Sequence, residues 1–303
     1  NLVSSEAKSD KSLFDGLDTT IPGIAKLTNN SEGQLKAKLE ELHRQIASAS
    51  TKYRPSSPED ILDDLSKAFR SANEMQSSTQ NNHSKELLTE LTNKIGSAIA
   101  QALGIRMDTL SDKETVVPGE NINVAVKIYY PTPSRVTVKQ ISLIAPISWH
   151  TEKNEMPKDN NPGFVKREAA NASDYFTVEF PTDAPLTQPY WLEQTRLGDL
   201  FQWRSEPNKN RAFQSPLPVW AQIRIEFNGF ELVLNQQVEF RYADDIRGEI
   251  RRNVDVVPKV TVEMNQSMMV IPYSDKEQTR QVVMKVTNHS QKPVTGTASL
   301  NFN

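Results

Sequence analysis

Four histidines are the first residues to test for chemistry: His43, His83, His150 and His289. A helical metal site commonly sets two His three to four residues apart, so that both side chains leave one face. No His here has a second His at that distance. The chain has no Cys, which removes thiolate zinc ligands, cysteine nucleophiles and disulfides together and leaves the compartment open. A metal ion would therefore need His, Asp and Glu gathered from distant loops. A GxSxG elbow, a Walker loop and a dinucleotide fingerprint are also missing.

Paired carboxylates come next. Glu40/Glu41 and Asp63/Asp64 lie in helical patterns, where neighbours differ by about 100° and do not converge on one substrate. Solvated faces or helix-terminal charges account for them better. Asp244/Asp245 belongs to FRYADDIRGEIRRNVDVVP, where Arg241, Arg247, Arg251 and Arg252 interleave with Asp244, Asp245 and Glu249. Such a run could hold an anion. Its mixed sign favours an ion-pair network at the joint between two sandwiches.

The densest aromatic stretch is PYWLEQTRLGDLFQW, Pro189 to Trp203, in a chain only 7% aromatic. Tyr190, Trp191 and Trp203 could form a carbohydrate platform, since flat ring faces stack on pyranoses while polar neighbours hold hydroxyls. The competing reading is packing. The connection from Thr182 to Pro218 is long, and buried rings pin such loops efficiently, at ~25 cal/mol per Å² of apolar surface. We favour packing for most of these rings.

These residues need a scaffold. At 303 residues the chain is long for one core, so two or three units are expected. Residues 1–30 show no sustained period and read as an extended segment, although Leu13, Phe14, Leu17, Ile21 and Ile24 of LFDGLDTTIPGI could dock on a neighbour. Residues 31–104 carry three amphipathic patterns. Ser31 and Gln34 form a capping box before a helix from about Glu32 to Ala49 with Leu35, Leu39, Leu42 and Ile46 on one face. A second helix should start at Pro58 behind an N-cap Ser57, with Glu59 and Asp60 at its positive end, and bury Ile61, Leu62, Leu65, Ala68, Phe69 and Ala72. The third carries Leu87, Leu88, Leu91, Ile95, Ile99 and Leu103, and Gly104 stops it. Together they make a small bundle.

Beyond Gly104 the period falls to two. Ile122, Val124, Val126 and Ile128 alternate with polar residues, YFTVEFP follows, and WAQIRIEF and FELVLNQQ flank Asn228-Gly229, a strong hairpin signal. Residues 105–257 therefore read as an antiparallel immunoglobulin-like β-sandwich with a long aromatic insertion at 182–218. Residues 258–303 offer four further strands, KVTVEMNQ, SMMVIPY, QVVMKVTN and GTASLNF, where a sandwich needs about seven. We read them as a partial second sandwich, completed by further polypeptide or by another chain. The fold class is α+β, multi-domain.

Composition narrows the partners. Lys and Arg number 35 against 38 Asp and Glu, a formal charge of −3, without the basic excess that draws nucleic acid. No apolar run reaches the ~20 residues of a membrane span. The chain opens on Asn1 without Met or a signal-peptide pattern, as expected of a processed or trimmed product.

PYWLEQTRLGDLFQW, FRYADDIRGEIRRNVDVVP, LFDGLDTTIPGI, SSPEDILDDLSKAF and VVPGENINV together resemble the region that follows the catalytic domain in large bacterial proteins of the GlcNAc-PI de-N-acetylase (PIG-L, or LmbE-like) family. The resemblance spans nearly the whole chain. It implies a parent hydrolase that removes N-acetyl groups from amino sugars at a zinc held by a His-Pro-Asp-Asp segment and a later His. That segment is absent here: His43 precedes Arg44, His83 precedes Ser84, His150 precedes Thr151 and His289 precedes Ser290. No catalytic or metal-binding residue can be transferred. What remains is a non-catalytic accessory region of an exported enzyme, secreted or periplasmic, whose partner is the missing zinc domain and whose surroundings could include glycan.

Overall fold

The computed structural model describes residues 18–27, 32–132, 135–155, 170–202, 219–266, 268–270, 273 and 275–299. The fold is α+β. Three long helices precede several β-sheets. Close contacts divide the chain into two units: Asn1–Arg106 with Tyr129–Gln140 and Arg224–Leu234, and Met107–Ile128 with Ile141–Ile223 and Asn235–Asn303.

In the first unit α1 spans Glu32–Lys52, α2 Leu62–Ser78 and α3 Asn82–Ala102, with α2 packed on both neighbours. Leu39, Leu42 and Ala49 of α1, Leu65, Ala68, Ala72 and Met75 of α2, and Leu88, Ile95 and Ile99 of α3 are buried. Residues of each set recur at spacings of three, four or seven, which keeps them on one stripe. The second helix begins later than its sequence pattern predicts. Pro58–Ile61 forms a 3-10 turn and the Ser57 side chain makes no capping bond. Proline favours a helical start, yet α2 proper starts only at Leu62, so Asp63 and Asp64 occupy its first turn. Asp64 then accepts hydrogen bonds from Ser48 (2.8 Å) and Lys52 (2.7 Å), tying α2 to the end of α1. Asn81 caps α3 by accepting from the Ser84 amide at 2.9 Å. Gly104 ends it in a left-handed conformation, φ +68°. Its amide bonds Gln101 O and the Ile105 amide bonds Ala100 O, both at 2.9 Å, which is a Schellman closure.

The 3-10 turn Pro22–Leu27 packs on α1 and α3 with Ala25 buried. It contains Ile24, and Ile21 directly precedes it; Leu13, Phe14 and Leu17 of the same predicted docking segment lie outside the described residues, as does the capping-box Ser31. Asp18 organises the entry, accepting from the Thr20 amide and hydroxyl and pairing with Lys26 at 2.8 Å. Gly23 permits the close approach, because a Cβ there would sit 2.6 Å from the Asp18 carbonyl oxygen.

The strands run β1 Arg106–Ser111, β2 Thr115–Val116, β3 Asn121–Tyr129, β4 Thr137–Ile144, β5 His150–Asn154 and β6 Ala172–Glu179. After a short helix, α4 Tyr190–Glu193, come β7 Trp220–Phe227, β8 Phe230–Gln237, β9 Glu239–Asp244, β10 Gly248–Asn253 and β11 Asp255–Val256. The last pair is β12 Val260–Met264 and β13 Met284–Asn288. One sheet has the order β4-β7-β8. Its hairpin turns on Asn228 (φ +49°) and Gly229 (φ +74°), the two positive values a two-residue turn of this hand needs. Within the first unit this turn meets α2. Phe230 stacks on Phe69 at 5.0 Å, Arg70 lies over the Phe230 ring, and Arg70 Nη2 donates to Asn228 O.

The main sheet of the second unit has the order β10-β9-β1-β3-β6-β5. β3, β6 and β5 are antiparallel neighbours, and β9 and β10 form an antiparallel hairpin. The sequence reading expects antiparallel pairing throughout, whereas this sheet is mixed. β1 runs parallel to β9 (Leu110↔Glu239), and β2 runs parallel to β11 (Val256↔Val116). Alternation records which face a residue occupies and is silent on strand direction; more than a hundred residues separate β1 from β9, ample for a parallel return.

Of the four strands expected in 258–303, two pair among the described residues, β12 with β13. Rungs Val262↔Val286 and Met264↔Met284 fall on one face, and that face is open, with Val262 56% and Val286 55% exposed.

Candidate functional site

The charged run at β9 and β10 is where the second unit concentrates its chemistry. Arg241 and Arg251 are directly opposed in the β9–β10 ladder, a like-charge pairing that destabilises unless neutralised. Asp108 on β1 supplies the neutralisation. One oxygen accepts from Arg241 Nη1 at 3.2 Å and the other from Arg251 Nη2 at 2.7 Å. Glu249 adds contacts to Arg251 Nε (2.9 Å) and Arg241 (3.5 Å), and Glu239 approaches Arg251 at 3.5 Å. Two guanidinium groups thus meet three carboxylates, and little positive charge is left for an incoming anion. Burial by itself would lower the Arg251 pKa; the hydrogen bonds to Asp108 and Glu249 outweigh it and raise the value.

Two further pairs extend the network. Arg252 donates to Glu114 at 2.7 Å, and Arg247 pairs with Asp244 at 3.0 Å. Asp244 also accepts from the Ile246 and Arg247 amides, closing the hairpin tip. Its carboxyl is held below the ordinary aspartate range, chiefly by Arg247. The predicted network is present: it ties β10 and β9 to β1 within one sheet and reaches Glu114 just before β2. Asp108, Glu114 and Glu239 complete it. Asp108 and Glu114 lie more than a hundred residues before the arginines, so nothing in the local run announces them.

A polar chain crosses the same sheet. Asn123 bonds Asp112 through its amide and its side chain, both at 2.8 Å; Thr177 Oγ1 donates to Asn123 Oδ1 at 3.0 Å, and Asn154 Nδ2 to Thr177 Oγ1 at 2.6 Å. Lys127 on β3, 3% exposed and partnered, is a second finding that sequence alternation misses. Period two puts Lys127 on the polar face of β3, yet Val124, Ala125, Val126 and Ile128 are buried too, so both faces of this central strand are covered.

Asp255 responds to a different environment. Its amide bonds Glu114 O, Val257 N bonds Val116 O, and Val256 exchanges hydrogen bonds with Thr187 at 2.9 Å. Burial, and secondarily the Glu114 charge, raises the Asp255 pKa.

The aromatic candidates are placed as follows. Tyr190 and Trp191 open α4, and Trp191 is half-buried and partnered. Trp203 lies outside the described residues. Beyond α4, the turn Leu197–Leu200 is closed by reciprocal 3.0 Å amide bonds and by Arg196 Nε donating to Gly198 O at 2.6 Å.

The histidines do not form a metal donor set. His43, His83 and His150 are exposed on α1, α3 and β5, and the His289 ring is hydrogen-bonded with Thr261 at 2.9 Å. Among the described residues no three His, Cys, Asp or Glu side chains gather as metal ligands would. Among the described residues, no donor set fits the zinc that the family resemblance implies.

No family model and no curated protein matches the chain. Among solved structures it is similar to a Pseudomonas fluorescens alkylpurine DNA glycosylase, AlkC, bound to DNA containing an abasic site analog. Identity is 10%, over 68% of this chain and 52% of that one, with a TM-score of 0.16. The chain thus spans about half the length of that structure. A likeness this slight carries no argument about fold or function.

Proposed function

We propose that this chain is the non-catalytic accessory region of an exported, zinc-dependent N-acetyl-sugar deacetylase, which braces or positions the catalytic domain. The observation that carries the reading is the Asp108 clamp. The charged residues of the β9–β10 run are committed to one another and to Asp108 across three strands, as fasteners are. The long strings PYWLEQTRLGDLFQW and FRYADDIRGEIRRNVDVVP, with their resemblance to the region downstream of PIG-L-type catalytic domains, supply the parent. The finer architecture in this reading is immunoglobulin-like. The buried alternation of Ile122, Val124, Val126 and Ile128 in β3, and of Ala221, Ile223, Ile225 and Phe227 in β7, provides the apolar faces that sandwich layers require.

The test separates support from catalysis. A PIG-L-type zinc domain is assayed for release of acetate from N-acetylglucosamine derivatives with and without this chain fused behind it, and the chain is assayed by itself. The fused zinc domain should gain thermal stability or turnover, and the chain alone should release no acetate at any zinc concentration. Zinc-dependent turnover by the chain alone would overturn the proposal, as would a fused domain indistinguishable from the free one.

A further inference from the structure

We draw no further inference here: the strongest candidate, the uncovered apolar face that Val262, Met264, Met284 and Val286 present on the β12–β13 ribbon, carries nothing because no feature of the structure shows what covers it.

Discussion

Asp108 holds apart two arginines that the ladder forces together, and its removal has a defined cost. In Asp108→Ala, Arg241, whose side chain is only 7% exposed, keeps its charge and loses its best partner. We expect a loss of about 2–3 kcal/mol, slightly under the range for breaking a buried pair because Arg251 reaches solvent. Urea unfolding measures it; a loss within about 0.5 kcal/mol, typical of a surface change, would remove the clamp from the account. Asp255 acts in the opposite sense. Its folded pKa stands above its unfolded one, so the ionised form weakens the fold. Stability should fall as pH rises from the ordinary aspartate value through the raised one, and stay lower above it. Asp255→Asn should therefore melt higher than the parent at neutral pH, with the gain closing in acid; a gain independent of pH would contradict this. The arginine run was legible as a network because opposite charges alternate within it, whereas Asp108 was not, since strand pairing and not local spacing brings it there.

Helix ends and turns show what local chemistry determines. Gly104 needs its left-handed backbone, and a Cβ there would also stand 3.1 Å from two atoms of the Pro131 ring. Gly104→Ala should cost about 1–2 kcal/mol. Gly296 has nothing within 4 Å of an added Cβ and no positive φ, so Gly296→Ala is the control and should leave the denaturation midpoint unchanged. Equal effects at both positions would mean that the Schellman closure contributes nothing. The Asn228-Gly229 turn and the Gly104 stop were readable from residue type, because only certain residues tolerate positive φ. The 3-10 start at Pro58 was not readable. Proline fixes its own φ in a range that both helix types share, so its presence does not distinguish them.

Over the whole chain, the helix-to-strand change after Gly104 was plain in the shift of hydrophobic period, but the composition of the helical unit was not. That unit takes Tyr129–Gln140 and Arg224–Leu234 from far along the sequence. Its core includes Phe230 against Phe69, and Leu232 comes near Gly96. Residues 1–106 by themselves should therefore melt at lower temperature, and less cooperatively, than the same helices in the full chain. Far-UV circular dichroism during heating compares the two, and identical transitions would show that the hairpin adds nothing to the bundle. Long-range returns of this kind leave no periodic trace, since a strand alternates in the same way whichever unit receives it. The edge strands of the six-stranded sheet have one more consequence. All five residues of β5, His-Thr-Glu-Lys-Asn, are exposed, and β10 carries Glu249, Arg251 and Arg252. A foreign strand pairing at either border would have to desolvate those charges, so both margins resist aggregation. The apolar face of the β12–β13 ribbon, formed by Val262, Met264, Met284 and Val286, carries no such charges, so a covering layer can settle on that face without desolvating any.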